Sequence, residues 1–513
     1  MDGHCSGVLT AILQYDRALR RAPKVTSAMA SIPDLPTPTL LLDAETRGEL
    51  WRRLVEVIED YTNRVGEARV APELDLAAIR EALAPFDFER PIPPLEALGF
   101  AAEGLWRWQV HTPHPRYFGL FNPAPTTLGI AADALVAAFN PQLAAWSHSP
   151  LAAEIEQHLV RAFAGRFGFD PARVEGTFTS GGAEANHTAL STALLRAFPE
   201  ISRRGLLALR SQPVLYVSPE THHSFLKAAR LAGLGTEAVR EVRVDSGLRM
   251  VPEELAARIR EDREAGLSPF LVVATVGSTS AGVVDPVADL AQVAEEEGGL
   301  WLHADAAWGG AAALVPELRP VLEGVSRAGS LTFDAHKWLS VPMGAGLYLT
   351  RHPGILERTF RVDAGYMPRE AAGLEVADPY AHSMQWSRRF IGLKVFLSLA
   401  AAGWQGYEEA IRHQTAMGDR LRERLPEEGW EVVNDTPLPV VCFVGSGPAG
   451  RSAAFLEGVA ADVVASGEAW ISTAALGEAG PALRACITNY RTGPADVDAL
   501  LAALARARLR HEA

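Results

Sequence analysis

The sequence predicts an α/β protein: a mostly parallel central sheet with helices on both faces, an N-terminal helical segment, and a small C-terminal α+β domain. Three observations carry this. Apolar runs of strand length, "PVLYVS", "REVRVD", "FLVVATVG", "GLWLHAD", "SLTFDA" and "AGLYLT", recur within residues 127–393. Stretches of helical length, such as "PEELAARIREDREAG" and "PVADLAQVAEEEG", lie between them. The pattern then changes on either side of that region. Alternation of this kind indicates a parallel sheet, because each crossover helix returns the chain to the same edge of the next strand.

Taken in order, residues 1–38 contain "RALRRAPK" and "SIPDLPTP" and lack the apolar core of a leader peptide, so they are expected to form a flexible extension. Residues 39–126 are expected to be largely helical. There "TRGELWRRLVEVIEDYTNRV" sets Leu50, Leu54, Val55 and Ile58 at helical spacing, and prolines at 91–94 and 113–125 punctuate the rest of the segment. Residues 127–393 are the large α/β domain. Residues 394–513 open with a long helix and continue through "EVVNDTPLPVVCFVG", "EAWISTAAL" and "LRACITNY" to a last helix, which is the pattern of a smaller α+β domain.

At 513 residues, with 48% hydrophobic and 21% charged residues, the chain can bury a substantial core. A net charge of -14 argues against nucleic acid or an anionic membrane as its partner. The three cysteines, Cys5, Cys442 and Cys486, are far apart and form neither a disulfide framework nor a metal-ligand pattern. No apolar run reaches the roughly 18 residues of a membrane span. A cytoplasmic, metal-free protein is the expectation.

In a parallel sheet, ligands sit in the loops beyond the strand ends. Four of these loops carry unusual residues. In "GTFTSGGAEANHTAL", Ser180-Gly181-Gly182-Ala183 separate a strand from a helix, which suits either an anion cradle or a tight capped turn. "SPETHHSFLKAARLAG" places His222, Ser224 and Lys227 at a helix start, where a histidine is structural more often than functional. "GLWLHADAAWGG" ends a buried strand on Asp305, which is either a turn cap or a carboxylate waiting for a cation. "SLTFDAHKWLSVPMGAG" holds Lys337. Only four of the 48 basic residues are lysines, so a lysine here is notable. A lysine can lose its charge on burial, whereas an arginine cannot, and a lysine in a cleft is a candidate Schiff-base nucleophile; the plainer reading is a surface residue at a strand end.

An anion cradle, a histidine, a carboxylate and a lysine after successive strands match the needs of pyridoxal phosphate (PLP). The motifs "TSGGAEAN", "HHSFLKA", "HADAAWGG" and "DAHKWL" resemble those of the group II PLP-dependent amino-acid decarboxylases, from about residue 40 to the C-terminus. The resemblance implies the type I fold of PLP-dependent transferases, a homodimer with shared active sites, and decarboxylation of an L-amino acid to its amine. It implies Lys337 as the Schiff-base lysine and Asp305 as partner of the pyridine nitrogen. His222 would stack on one ring face and Ala307 pack beneath the other. Gly182, Ala183 and His336 would contact the phosphate, and Thr275, in "VATVGSTSAG", would lie near Asp305 and the ring. Tyr366 would occupy the position of the loop tyrosine that returns a proton to Cα. Relatives with Phe there form aldehydes instead.

The substrate wall departs from the aromatic decarboxylases. "AAFNPQLAAWSHSP" puts Gln142 and Ala144 where apolar residues are expected, and "FGLFNPAP" retains Phe121 but has Asn122 in place of an apolar ring. A roomier, more polar pocket is expected, open to aromatic, basic or acidic L-amino acids. Other PLP chemistry on the same scaffold (aldehyde synthesis, transamination or carbon–carbon lysis) is the alternative. Arg484 reads either as a carboxylate clamp or as a structural ion pair. "GSGPAG" at 445–450 fits a G-x-G-x-x-G pattern, yet a lone match with Pro448 inside it reads as a loop.

Overall fold

The computed structural model describes residues 40–365 and 373–511. The predicted N-terminal extension and Tyr366 therefore lie outside the described residues. The chain divides into two compact units. The smaller consists of the described residues up to Ile58 together with Pro91–Gly99; it carries most of the helix Ala44–Arg64 and the start of Pro94–Trp108. The larger consists of Glu59–Arg90 and the chain from Phe100 onward, and it holds both sheets and the functional loops.

Its main sheet has seven strands: β1 (Glu175–Thr179), β2 (Pro213–Val217), β3 (Val239–Glu241), β4 (Ser268–Thr275), β5 (Trp301–Asp305), β6 (Ser330–Asp334) and β7 (Gly346–Thr350). They lie in the order β1-β7-β6-β5-β4-β2-β3. Only β7 runs against its neighbours, β1 and β6, so the sheet is mostly parallel, as the alternation of strands and helices predicts. Helices cover both faces, so β2, β5, β6 and β7 are buried along their whole length and read as continuous apolar runs. Register aligns the functional ends: Thr275 pairs with Asp305, and Asp305 with Thr332.

"REVRVD" forms a shorter strand than expected. β3 stops at Glu241, on the sheet edge, because Asp245 turns the chain back: its Oδ1 accepts the Gly247 and Arg249 N–H groups at 2.8 and 2.9 Å. A bridge between Val244 and Met250 closes that turn.

The helices that matter for the site are α1 (Thr127–Phe139), α2 (Pro150–Arg166), α3 (Gly182–Ala197), α4 (Ser224–Leu231) and α5 (Gly392–Arg424). α5 is broken at Gly403, whose φ of 63° only glycine adopts readily. A second, antiparallel sheet of β8 (Trp430–Val432), β9 (Val440–Gly445), β10 (Ser472–Ala475) and β11 (Pro481–Cys486) has the order β10-β11-β9-β8. The "GSGPAG" segment begins on the last residue of β9. A Cβ on Gly450 would lie 2.5 Å from the Gly445 carbonyl carbon, so these glycines serve a close backbone crossing. No helix among the described residues is long and apolar enough to cross a membrane.

One buried ion pair anchors α5. Arg388 Nη1 donates to Glu156 Oε1 at 3.0 Å, and both side chains are under 5% exposed. The same carboxylate accepts the Ile391 and Gly392 N–H groups that open α5, at 3.2 and 3.1 Å. Changing Arg388 to Met leaves a buried charge without its cation and is expected to cost about 3–5 kcal/mol of stability. A denaturant midpoint within error of the wild type would contradict this role.

Candidate active site

The site is built at the ends of five strands. β1 runs through Ser180 and Gly181 directly into α3, whose first turn presents backbone N–H groups that have no partner within the helix. Glu184 Oε2 secures this turn by accepting from Ser180 N–H and Oγ–H at 2.8 and 2.7 Å. A Cβ on Gly182 would come within 2.8 Å of Asp334 Oδ2 and 3.3 Å of Ala307 Cβ, so only glycine fits there.

Asp334 ends β6 and is 1% exposed. Its Oδ2 accepts from Gly182 N–H at 3.0 Å and lies 3.2 Å from Lys337 Nζ, while its Oδ1 has no partner among the described residues. Two residues on, His336 Nδ1 accepts the Ala345 N–H at 3.1 Å, which leaves Nε2 to carry the proton. Burial holds this imidazole below its usual range.

Asp305 ends β5 and is 5% exposed. Oδ2 accepts from Asn186 Nδ2 at 2.7 Å and Oδ1 from Ala307 N–H at 3.2 Å; among the described residues it makes no salt bridge. A buried carboxylate with only neutral donors is incomplete without a cation. A protonated pyridine nitrogen supplies one, so the residues present fit PLP.

His222 lies in the loop after β2. Its Nδ1 is 2.9 Å from Ser224 Oγ and accepts the Ser224 N–H at 3.2 Å. Burial lowers its pKa, with the Asp305 charge acting in the opposite direction. Thr275, at the end of β4, is held by Asp285, which accepts its N–H at 2.8 Å, and its hydroxyl lies 3.1 Å from that of Thr221. Burial raises the Asp285 carboxyl to about 6 against the pull of two backbone N–H groups.

Gly182, Ala183, His222, Thr275, Asp305, Ala307, His336 and Lys337 line one cavity of about 330 Å³. Among the lining residues that sequence reasoning overlooked are Asn186, Glu220 and Asp334. Each stands inside or beside a recognised motif, but its role depends on partners distant in sequence. Phe121 is buried one layer back, stacked on Trp308 at 4.4 Å between centroids. Asn122, Gln142 and Ala144 do not line the cavity of their own chain; Gln142 instead bonds to Ser387 and His148 at 3.3 and 3.1 Å. Arg484 is 2% exposed and has no ion pair among the described residues. Its guanidinium donates to the carbonyls of Thr279 and Gly119 at 2.8 and 2.7 Å and lies over the Phe121 ring, so it ties backbone segments together.

Fold and site together bring a lysine, a buried carboxylate without a cation and a glycine turn at a helix start to the carboxyl ends of a mostly parallel sheet. Residues 94–445 match the pyridoxal-dependent decarboxylase conserved domain, and the chain belongs to that family. It is 32% identical to an aromatic-L-amino-acid decarboxylase of Bacillus atrophaeus, over 79% of this chain and 82% of the relative. It is likewise 32% identical to an acidic amino acid decarboxylase of Bos taurus, over 66% of this chain and 64% of that protein. The crystal structure of Oryza sativa TDC with PLP and tryptamine is similar, with a TM-score of 0.85 at 25% identity, covering 93% of this chain and 99% of that one. The protein is thus an enzyme, a PLP-dependent carboxy-lyase of the type I architecture.

Proposed function

We propose that this enzyme converts an L-amino acid to the corresponding amine and CO2, with Lys337 holding PLP covalently. The observation that carries the reading is that Lys337 shares one cavity with Asp305, a buried carboxylate that lacks a cation. Bound PLP supplies an electron sink for the pair left at Cα when CO2 departs. Asp305 would accept from the ring N–H and keep that nitrogen charged. Gly182, whose own N–H is taken by Asp334, would let the phosphate approach closely, and Ala183 and His336 Nε2–H would contact it. His222 and Ala307 would flank the ring, and Thr275 would lie beside it.

Tyr366 holds the proton that is delivered to Cα. Asn122, Gln142 and Ala144 form a substrate wall that each subunit of a homodimer lends to its partner, in keeping with their placement away from their own cavity, while Phe121 backs the pocket of its own chain through Trp308. That wall admits aromatic, basic or acidic side chains. Changing Tyr366 to Phe is expected to lower amine formation about 10²-fold, with aldehyde and ammonia appearing in its place by oxidative deamination that consumes dissolved O2, and cofactor content unchanged. Unaltered amine output would remove Tyr366 from this role.

The test is a mass-spectrometric screen of the PLP-loaded protein against aromatic, acidic and diamino L-amino acids, scored for amine, aldehyde and CO2. Amine with equimolar CO2 from one class supports decarboxylation and identifies the preference. Aldehyde or keto acid without amine would overturn it.

A further inference from the structure

A chain of hydrogen bonds runs behind the cavity, and its polarity can be read from both ends. Trp301 Nε1–H, which can only donate, donates to Ser330 Oγ at 2.8 Å. The Ser330 hydrogen is then free to point at His303 Nδ1, also at 2.8 Å. With Nδ1 accepting, the His303 proton sits on Nε2, 3.2 Å from both Asn186 Oδ1 and the Thr332 hydroxyl. Consistent with this, Asn186 turns its Nδ2 to Asp305 Oδ2 at 2.7 Å and Ser224 Oγ at 2.9 Å. An ionised Asp305 can only accept, so it requires the same orientation independently. Ser224 Oγ, having accepted from Asn186, donates to His222 Nδ1, where the Ser224 backbone N–H also donates. Asn186, Ser224, His303 and Ser330 are each at most 3% exposed, so water does not compete.

We propose that Asn186 is a positioning residue that sets the donor polarity of the site: it orients the Asp305 carboxylate and, through Ser224, locks His222 in the neutral tautomer with its proton on Nε2. His222 thereby offers the cavity an N–H donor, suited to an anionic oxygen of cofactor or substrate, and no acceptor. The downward pull of burial on its pKa agrees with a neutral ring. The inference rests on the reading that this cavity is the active site, but not on which reaction occurs there.

The test treats the full-length holoenzyme with diethyl pyrocarbonate, which acylates an unprotonated imidazole nitrogen, and quantifies His222 against its neighbour His223 by peptide mass spectrometry. In the wild type Nδ1 is occupied by two donors and Nε2 is protonated, so His222 reacts slowly. In Asn186→Ala the Ser224 hydroxyl can accept from Nδ1–H, in competition with the Ser224 backbone N–H that still donates to Nδ1, so part of the population exposes an unprotonated Nε2 and the His222 to His223 ratio is expected to rise about 2-fold. Ser224→Ala removes one of the two donors and is expected to raise the ratio less. A general loosening of the fold would accelerate both histidines alike and leave the ratio unchanged. An unchanged ratio in both variants overturns the proposal; if Asn186→Ala does not fold, an unchanged ratio in Ser224→Ala does so alone. The readout needs no turnover, so its failure leaves decarboxylation standing, and a wild type that makes no amine leaves this inference standing.

Discussion

Alanine in place of Lys337 is expected to abolish amine formation, by about 10⁴-fold or more, because the covalent hold on the cofactor is lost and not merely weakened. The side chain is 21% exposed and its ionic partner among the described residues is Asp334, so the fold should survive its removal. Lys337→Arg is expected to be as inactive as Lys337→Ala. A guanidinium keeps its charge and cannot act as a neutral amine, even though the salt bridge to Asp334 would be preserved. The comparison separates charge from nucleophilicity. Amine output, visible absorbance after dialysis against PLP, and circular dichroism together check it. Activity within tenfold of the wild type in either variant would remove Lys337 from the reaction.

The second large effect is expected at Asp305. On the proposed role, Asp305→Ala would take away the acceptor for the ring nitrogen, and a fixed charge opposite developing charge is worth about 10²–10³ in rate when removed. We expect a loss near the upper end of that range, about 10³-fold in kcat, because the carboxylate is buried and its neighbours Asn186 and Ala307 offer only neutral groups in its place. PLP should still attach to Lys337, more weakly. The measurement is kcat at saturating PLP with bound cofactor counted by absorbance. A fall of less than tenfold at full occupancy would mean that Asp305 serves only the turn it caps through Ala307 N–H.

Much of this architecture was legible in the chain because burial leaves a direct signature. Strands covered on both faces, such as β2 and β5, must be apolar throughout, and their lengths gave them away. The loops were legible for a related reason: Gly182, Asp305 and Lys337 are residue types that a buried strand end does not tolerate without a purpose. β3 was overestimated because "REVRVD" carries strand-like residues while the Asp245 turn beside it sends the chain elsewhere. The break at Gly403 was hidden because a glycine within a helical pattern is often tolerated.

The support behind the site could not be read in the same way. Asn186 and Ser224 both stand within recognised motifs, yet what they do depends on Asp305, His303 and His222 arriving from other strands. Sequence separations of 38 and 119 residues carry no local pattern. Glu156 and Arg388 are separated by 232 residues, and no local pattern links them. Arg484 invited a choice between carboxylate clamp and ion pair, but the fold surrounds it with carbonyls. Position in a motif points to where chemistry occurs; only packing shows which neighbour holds each group in place.

The measurement that bears most directly on the central claim is chemical trapping of the cofactor. The PLP-loaded protein is reduced with sodium borohydride, which converts a lysine-bound cofactor to a stable secondary amine, then digested and mapped by mass spectrometry. A cavity built around Lys337 predicts the pyridoxyl group on the peptide containing that residue, at close to one per chain. Labelling of Lys24, Lys227 or Lys394 instead, or stoichiometric PLP binding with no lysine labelled, would contradict it.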